Sequence, residues 1–225
     1  MNAFSQFIAD HAAEPAVALL ARTAGAMRTD AGFVERPGDP VAGALLSDET
    51  PAPLDPEALA AVMARIDQGA ALDQAAADLA GLSPYAAEIA ALPSPVREAG
   101  LAAVGRHRWR FGGFGIRRLP LMSGDGAFAE LMRIEPGRGV PDHDHADDEL
   151  TLILTGGYHD GRHHYGPGDI SLARPGFTHE PKADPGAVCY VLALSYGAPL
   201  LSGAYRLLQP ILAEPADAKA AWRTR

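Results

Sequence analysis

Between Gly137 and Gly156 the chain reads Gly137-Arg-Gly-Val-Pro-Asp-His143-Asp-His145-Ala-Asp-Asp-Glu149-Leu-Thr-Leu-Ile-Leu-Thr-Gly156, and a further histidine, His179, follows thirty residues after the carboxylate. No other feature limits the possible folds as tightly. His143 and His145 are two apart, which on a strand points both rings to one face. Glu149 comes after a short polar turn and leads into the apolar run Leu150–Leu154. His179 lies beyond the turn Gly168-Asp169 and a second strand-like run, Ile170–Ala173. Three imidazoles and a carboxylate are borderline donors that suit Zn, Fe, Mn, Ni or Co. A carboxylate buried beside imidazoles in an apolar barrel is costly alone, and a divalent cation removes that cost. The set predicted to hold the ion is therefore His143, His145, Glu149 and His179. Asp142, Asp144 or Asp147 are expected to orient the rings. An isolated His-x-His pair is a weak signal, common in surface turns; the whole spacing carries the prediction.

Around this stretch the pattern is β-type. Short runs at 116–121, 127–134, 149–155, 157–160, 162–165, 169–173 and 187–194 alternate with Gly-rich turns, the spacing of a sandwich or barrel. Asp160-Gly161, between Tyr158-His159 and Arg162-His163, predicts a tight hairpin. His107 to Arg110 reads as an edge strand entering the barrel. His159, His163 and His164 read as solvated turn residues, and Arg117-Arg118 as a solvated face.

The N-terminal part has helical spacing instead. Phe4, Phe7 and Ile8 share one face, and Val17, Leu20, Ala24 and Met27 form a second stripe. Loops are expected at 30–42 and at Thr50-Pro51-Ala52-Pro53. Asp55, Pro56 and Glu57 then open a helix in which Leu59, Val62, Met63 and Ile66 repeat at i, i+3, i+4 and i+7, with Gly69 to end it. Residues 71–80 are Ala-rich and weakly amphipathic. The expected organisation is a helical unit at 1–82, a Pro-containing linker at 83–99, a barrel at 100–200 and a partly helical tail at 201–225. The fold class is α+β: a small N-terminal helical bundle followed by a jelly-roll barrel.

Charge narrows the partners. The 225 residues carry a net charge of −9, which argues against direct nucleic-acid binding because that needs Lys and Arg against phosphate. Residues 1–97 hold thirteen acids and five arginines, net −8, and such a surface is compatible with a basic protein partner. A single cysteine, Cys189, excludes an intramolecular disulfide and a Cys-based zinc site. It sits in a strand-like run and reads as a buried small hydrophobe; a redox-sensitive thiol would need exposure and a lowered pKa. No run of 18 apolar residues predicts a membrane span. Met1 to Leu20 lacks a basic n-region and contains Asp10 and Glu14, so it is not read as a signal peptide, and a cytoplasmic location is expected.

These residues resemble a known family. Gly137, His143, His145, Glu149 and Gly156 match the first cupin motif, G-x5-H-x-H-x3-E-x6-G, at every position. Gly168, Gly176 and His179 fit the second motif, while its proline falls one residue late at Pro175 and its final Asn is Ala183. The resemblance covers roughly 107–197 and implies a double-stranded β-helix. A narrower likeness is to the ChrR family of zinc-binding anti-sigma factors. It rests on Pro141 through Leu154, Gly156-x-Tyr158-x-Asp160, Tyr165-x-x-Gly168-Asp169 and Pro185-Gly-Ala-Val-Cys189-x-x-Leu192-Ala193. Upstream, it rests on Gly43 to Leu46 and Leu54 to Asp67.

That resemblance implies a helical domain that grips an extracytoplasmic-function (ECF) sigma factor and a cupin domain that receives a stress signal, typically oxidative. It also implies one divalent metal, zinc before Fe, Mn or Ni, in the cupin. This chain departs from the family at one place. The N-terminal His-x3-Cys-x2-Cys zinc cluster is missing, for Leu20 to Asp30 contains neither His nor Cys. Either the helices stand without metal or sigma binding has been lost. The rival reading is an enzyme: three His and one Glu leave two octahedral positions open, which suits a dioxygenase, isomerase or lyase. A metal-binding cupin that uses its helices as a dimerisation arm is the third.

Overall fold

A computed structural model describes residues 7–8, 10–30, 81, 83–113, 115–124, 127–197 and 199–201. The expected breaks within 31–42 and 50–53, the helix opening at Asp55, the Ala-rich stretch at 71–80 and the tail beyond 201 lie outside the described residues.

Helix α1 spans Pro15–Asp30. Proline suits its first position because the missing N–H would be unpaired there in any case, and the amide of Ala18 donates to the Glu14 carbonyl at 2.9 Å. Its stripe is as expected: Val17, Leu20, Ala24 and Met27 are buried, with Ala16, Leu19 and Thr23 beside them. The buried Thr23 hydroxyl donates back to the Leu19 carbonyl at 2.8 Å.

Two short helices follow, α2 at Ala86–Ala90 and α3 at Val96–Val104. The stretch expected as a linker, 83–99, thus contains α2 and the start of α3. Its prolines bracket helices instead of breaking them: Pro84 precedes α2 and Pro95 is the N-cap of α3. Ile89, Leu92, Val96, Leu101 and Val104 are buried.

Eleven antiparallel strands make up the rest of the described fold. A six-stranded sheet has the order β1-β2-β3-β10-β5-β8. Its strands are β1 (Arg110–Gly113), β2 (Ile116–Gly124), β3 (Ala127–Ile134), β5 (Glu149–Thr155), β8 (Ile170–Ala173) and β10 (Cys189–Ser195). Facing it are a pair, β4 (His143–His145) with β11 (Pro199–Leu201), and a three-stranded sheet in the order β7-β6-β9. In the latter, β6 is Tyr158–His159, β7 is His164–Tyr165 and β9 is Lys182–Ala183. The edge strand expected at His107–Arg110 begins only at Arg110; the Trp109 indole N–H donates to Ser83 Oγ, just before α2, at 3.1 Å.

Strand alternation divides the large sheet into two surfaces. Leu119, Ala129, Leu131, Leu150, Leu152, Leu192 and Leu194 share one core with Val17, Leu20, Ala24, Ile89 and Leu101 of the helices. On the opposite surface Ile116, Ile134, Ile153, Cys189 and Val191 pack with Tyr158 and Ala183 inside the barrel.

The hairpin after β6 is wider than expected. Tyr158 pairs with Tyr165 and His159 with His164, so the loop has four residues, Asp160 to His163. Asp160 enforces this: its Oδ1 accepts the amides of Arg162 and His163 at 2.8 and 2.7 Å, and its Oδ2 accepts the Tyr165 hydroxyl at 3.1 Å. A buried Asp able to take both amides favours an Asx-type loop over a two-residue turn.

Candidate metal centre

Register builds the site. Along the barrel side, Ala173, Glu149, Ser195 and Phe128 lie opposite one another on β8, β5, β10 and β3. The next row is Ser171, Thr151, Ala193 and Glu130, and the third contains Ile153, Val191 and Met132. The interior therefore grades from polar at the Glu149 end to apolar at the Cys189 end. Gly156, at the end of β5, fits its motif position for a steric reason. Its φ is 71°, and a Cβ there would sit 2.7 Å from the Val188 carbonyl oxygen.

β4 delivers His143 and His145, and a backbone bridge delivers His179. The His143 amide donates to the His179 carbonyl at 3.0 Å and the His179 amide donates back at 2.9 Å. All three histidines are at least 95 % buried. Each offers a ring nitrogen, and the three nitrogens lie within 4.8 Å of one another. Nε2 of His145 faces Nε2 of His179 at 2.8 Å. His143 donates Nδ1–H to the Pro141 carbonyl at 2.9 Å, which leaves its Nε2 lone pair toward the cluster.

Glu149 stands at the margin of this group. Its Oε2 is 3.8 Å from Nδ1 of His145 and accepts the Ser195 hydroxyl at 3.0 Å; its side chain is a fifth exposed. Of the carboxylates expected to orient the rings, Asp144 acts differently. Asp144 Oδ1 accepts the amides of His145 and Gly176 at 2.7 and 2.9 Å, tying two loops together, while a main-chain carbonyl orients His143. His164, expected in the turn, lies in β7; it is exposed and pairs with Asp184 at 2.8 Å on the surface.

Electrostatics favour a ligand set over a charged cluster. Burial pushes the pKa of His143 and of His145 down. Burial, then the neighbouring His143 and His145, pushes that of His179 down to about 3. Neutral rings keep the lone pairs a metal needs. Burial drives the Glu149 carboxyl upward, against the pull of His143. Nδ1 of His179 is buried without a hydrogen-bond partner among the described residues. Three buried neutral imidazoles converging beside a carboxyl that resists ionisation fit a divalent ion, which relieves that resistance.

Several participants escaped the sequence reading. Ser195 bonds Glu149, Thr151 and Ser171 form the neighbouring row, and Arg118 donates Nε–H to both Glu130 oxygens at 2.8 and 2.9 Å in the barrel wall; of the pair expected to be solvated, Arg117 is exposed and Arg118 is not. Period-two alternation from Glu149 would have found Thr151. Cys189 is fully buried at the apolar end, and burial pushes its thiol up to about 12. This matches the buried-hydrophobe reading.

The pattern that defines the ChrR Cupin-like domain matches residues 98–196. The anti-sigma-E factor ChrR of Cereibacter sphaeroides is 36% identical over 178 residues, covering 76% of this chain and 77% of that protein. The chain belongs to the ChrR family. Among solved structures, a chain of the crystal structure of Rhodobacter sphaeroides SigE in complex with the anti-sigma ChrR is 31% identical. That match has a TM-score of 0.49 and covers 83% of this chain and 92% of that one. An RmlC-like cupin from Ralstonia eutropha JMP134 is 15% identical with a TM-score of 0.40, covering 43% and 68%. Helix α1 places Leu20, Ala24 and Met27 in the apolar core, with the buried Thr23 beside them. No helix among the described residues is long and apolar enough to cross a membrane.

Proposed function

We propose that this chain is a cytoplasmic anti-sigma factor that sequesters an ECF sigma factor through its helical region, 1–82, and responds to an oxidative signal through its barrel, 100–200. The kinship with a protein named anti-sigma-E factor, over three quarters of the chain, carries this reading. The acidic balance of residues 1–97 suits a basic partner surface.

The barrel is proposed to hold one zinc ion through His143, His145, Glu149 and His179. When bound, the ion would accept the imidazole lone pairs and neutralise the carboxylate. The chain's own residues prepare the place. The backbone bridge between His143 and His179 sets the spacing of two rings, the Pro141 carbonyl fixes one tautomer, and Ser195 holds the carboxylate.

The test is co-expression of the full chain with the ECF sigma factors of its own genome, followed by metal analysis of what is captured. A stable one-to-one complex containing one zinc per chain is expected. His179→Gln should reduce zinc affinity by more than the roughly 10–100-fold that loss of an outer-shell partner costs. Capture of none of the sigma factors would remove the regulatory reading. Full zinc retention in the variant would remove the site.

A further inference from the structure

We propose that Ser195 and Tyr196 form the joint between the metal centre and helix α1, with Ser195 as the positioning residue for Glu149 and Tyr196 as the contact that passes its position on. This rests on the proposed four-donor site. Two bonds tie the pair to that site. Ser195 Oγ donates to Glu149 Oε2 at 3.0 Å, and the Tyr196 amide donates to the Asp148 carbonyl at 3.3 Å. Both the donor carboxylate and the residue before it are therefore held by one dipeptide.

Tyr196 packs against the other side of the sheet, where the N-terminal segment lies. Its ring centroid is 5.8 Å from that of Phe7 and 5.6 Å from that of His11, and those two rings stack at 4.3 Å. Its hydroxyl donates to Glu14 Oε2 at 2.6 Å. Glu14 immediately precedes α1, and its carbonyl accepts the first helical amide bond from Ala18. A change in what the Glu149 carboxylate faces alters the Ser195 hydrogen bond. The Ser195–Tyr196 peptide then carries that change to the residues that seat α1.

A second tyrosine on the same strand provides the contrast. Tyr190 donates to Glu88 Oε2 at 2.8 Å, next to the Arg133–Glu88 ion pair, and so ties α2 to the sheet. It lies opposite Thr155, at the end of β10 away from Glu149. Both tyrosines hold helices, and Tyr196 alone is bonded along the chain to a residue that holds a proposed metal donor.

The experiment uses the full chain, stripped with a chelator and reloaded with zinc or cobalt alone, and follows amide exchange in peptides covering residues 7–30. In the unmodified protein zinc should slow that exchange by about fivefold or more, the scale of one hydrogen bond gained or lost. Ser195→Ala should bind zinc more weakly and, even at saturating zinc, lack the zinc dependence of α1, and Ser195→Thr should restore it. Tyr196→Phe should speed exchange in α1 with zinc affinity changed by less than about threefold, since the metal donors are untouched. Tyr190→Phe should leave the zinc dependence in place. Zinc binding without any change in α1, or zinc dependence that survives Ser195→Ala, overturns the joint. Cobalt absorption of Glu149→Gln separates the two readings. An unchanged spectrum overturns the four-donor site and the joint with it, whereas a changed spectrum combined with an α1 that does not respond to zinc in the unmodified protein overturns the joint alone.

Discussion

On its helical side the six-stranded sheet offers Leu119, Leu131, Leu150, Leu152, Leu192 and Leu194 to α1 and α3; on its barrel side the same strands offer Glu149, Thr151, Glu130, Arg118, Ser171 and Ser195 before giving way to Ile116, Ile153, Cys189 and Val191. The first surface is held by area removed from water, roughly 1.5–3 kcal/mol for each fully buried Leu or Val. That attraction is non-directional, so many apolar side chains of similar volume would serve. The second surface is held by directed bonds, in which a partner lost leaves a polar group stranded. Apolar residues on the helical side are interchangeable within limits of volume, whereas the barrel side ties residue identity to chemistry.

Three substitutions probe that contrast. The largest effect is expected from Leu192→Ala, at the centre of the helical side, which should cost about 2–5 kcal/mol. A urea titration followed by circular dichroism would read this as a lower midpoint, with zinc stoichiometry unchanged. Unaltered stability would show that the shared core does not hold the helices.

Asp160→Ala should cost less, about 1.5–3 kcal/mol, the range for hydrogen bonds to a charged group. This cost should depend on pH. Burial opposes ionisation of Asp160, but the amides of His163 and Arg162 and the Tyr165 hydroxyl outweigh it and hold its pKa below the usual value. A carboxyl lowered on folding adds stability above its unfolded pKa, near 3.8, and that contribution disappears as pH falls through the folded value. The difference between wild type and Asp160→Ala should therefore be full at pH 7 and shrink below about pH 4. A gap that is constant down to pH 3 would show that the loop is held by shape alone.

The smallest effect belongs to Cys189→Ala, about 1 kcal/mol for a small buried side chain. With the thiol raised to about 12, a thiol reagent should label native protein only as fast as the barrel opens. Rapid labelling of folded protein would place a reactive sulfur where the structure shows an inert one.

Much of the barrel was legible because its determinants are local. Glycines at turn positions and runs such as Leu150–Leu154 mark strands by themselves, and the His-x-His spacing announces a shared face. Strands β6 and β7 fall inside the predicted runs 157–160 and 162–165, whereas β9 and β11 were hidden, because two or three residues carry no period. Long-range pairs were invisible. Glu88 meets Arg133 and Tyr190 across 45 and 102 residues, and nothing in either neighbourhood names the other. The prolines at 84, 93 and 95 misled for a simpler reason: the same residue that ends a helix also starts one well.

The reciprocal backbone pairing of His143 with His179 has a kinetic meaning. Two of the three imidazoles are brought together by main-chain bonds whose formation owes nothing to an ion. Folding alone therefore supplies most of the preorganisation, and loading requires side-chain rotation and not closure of a thirty-odd-residue loop. A barrel built this way would meet a divalent ion with its donors already gathered, so that uptake needs no unfolding event and release would be set by breaking the bonds to the donors.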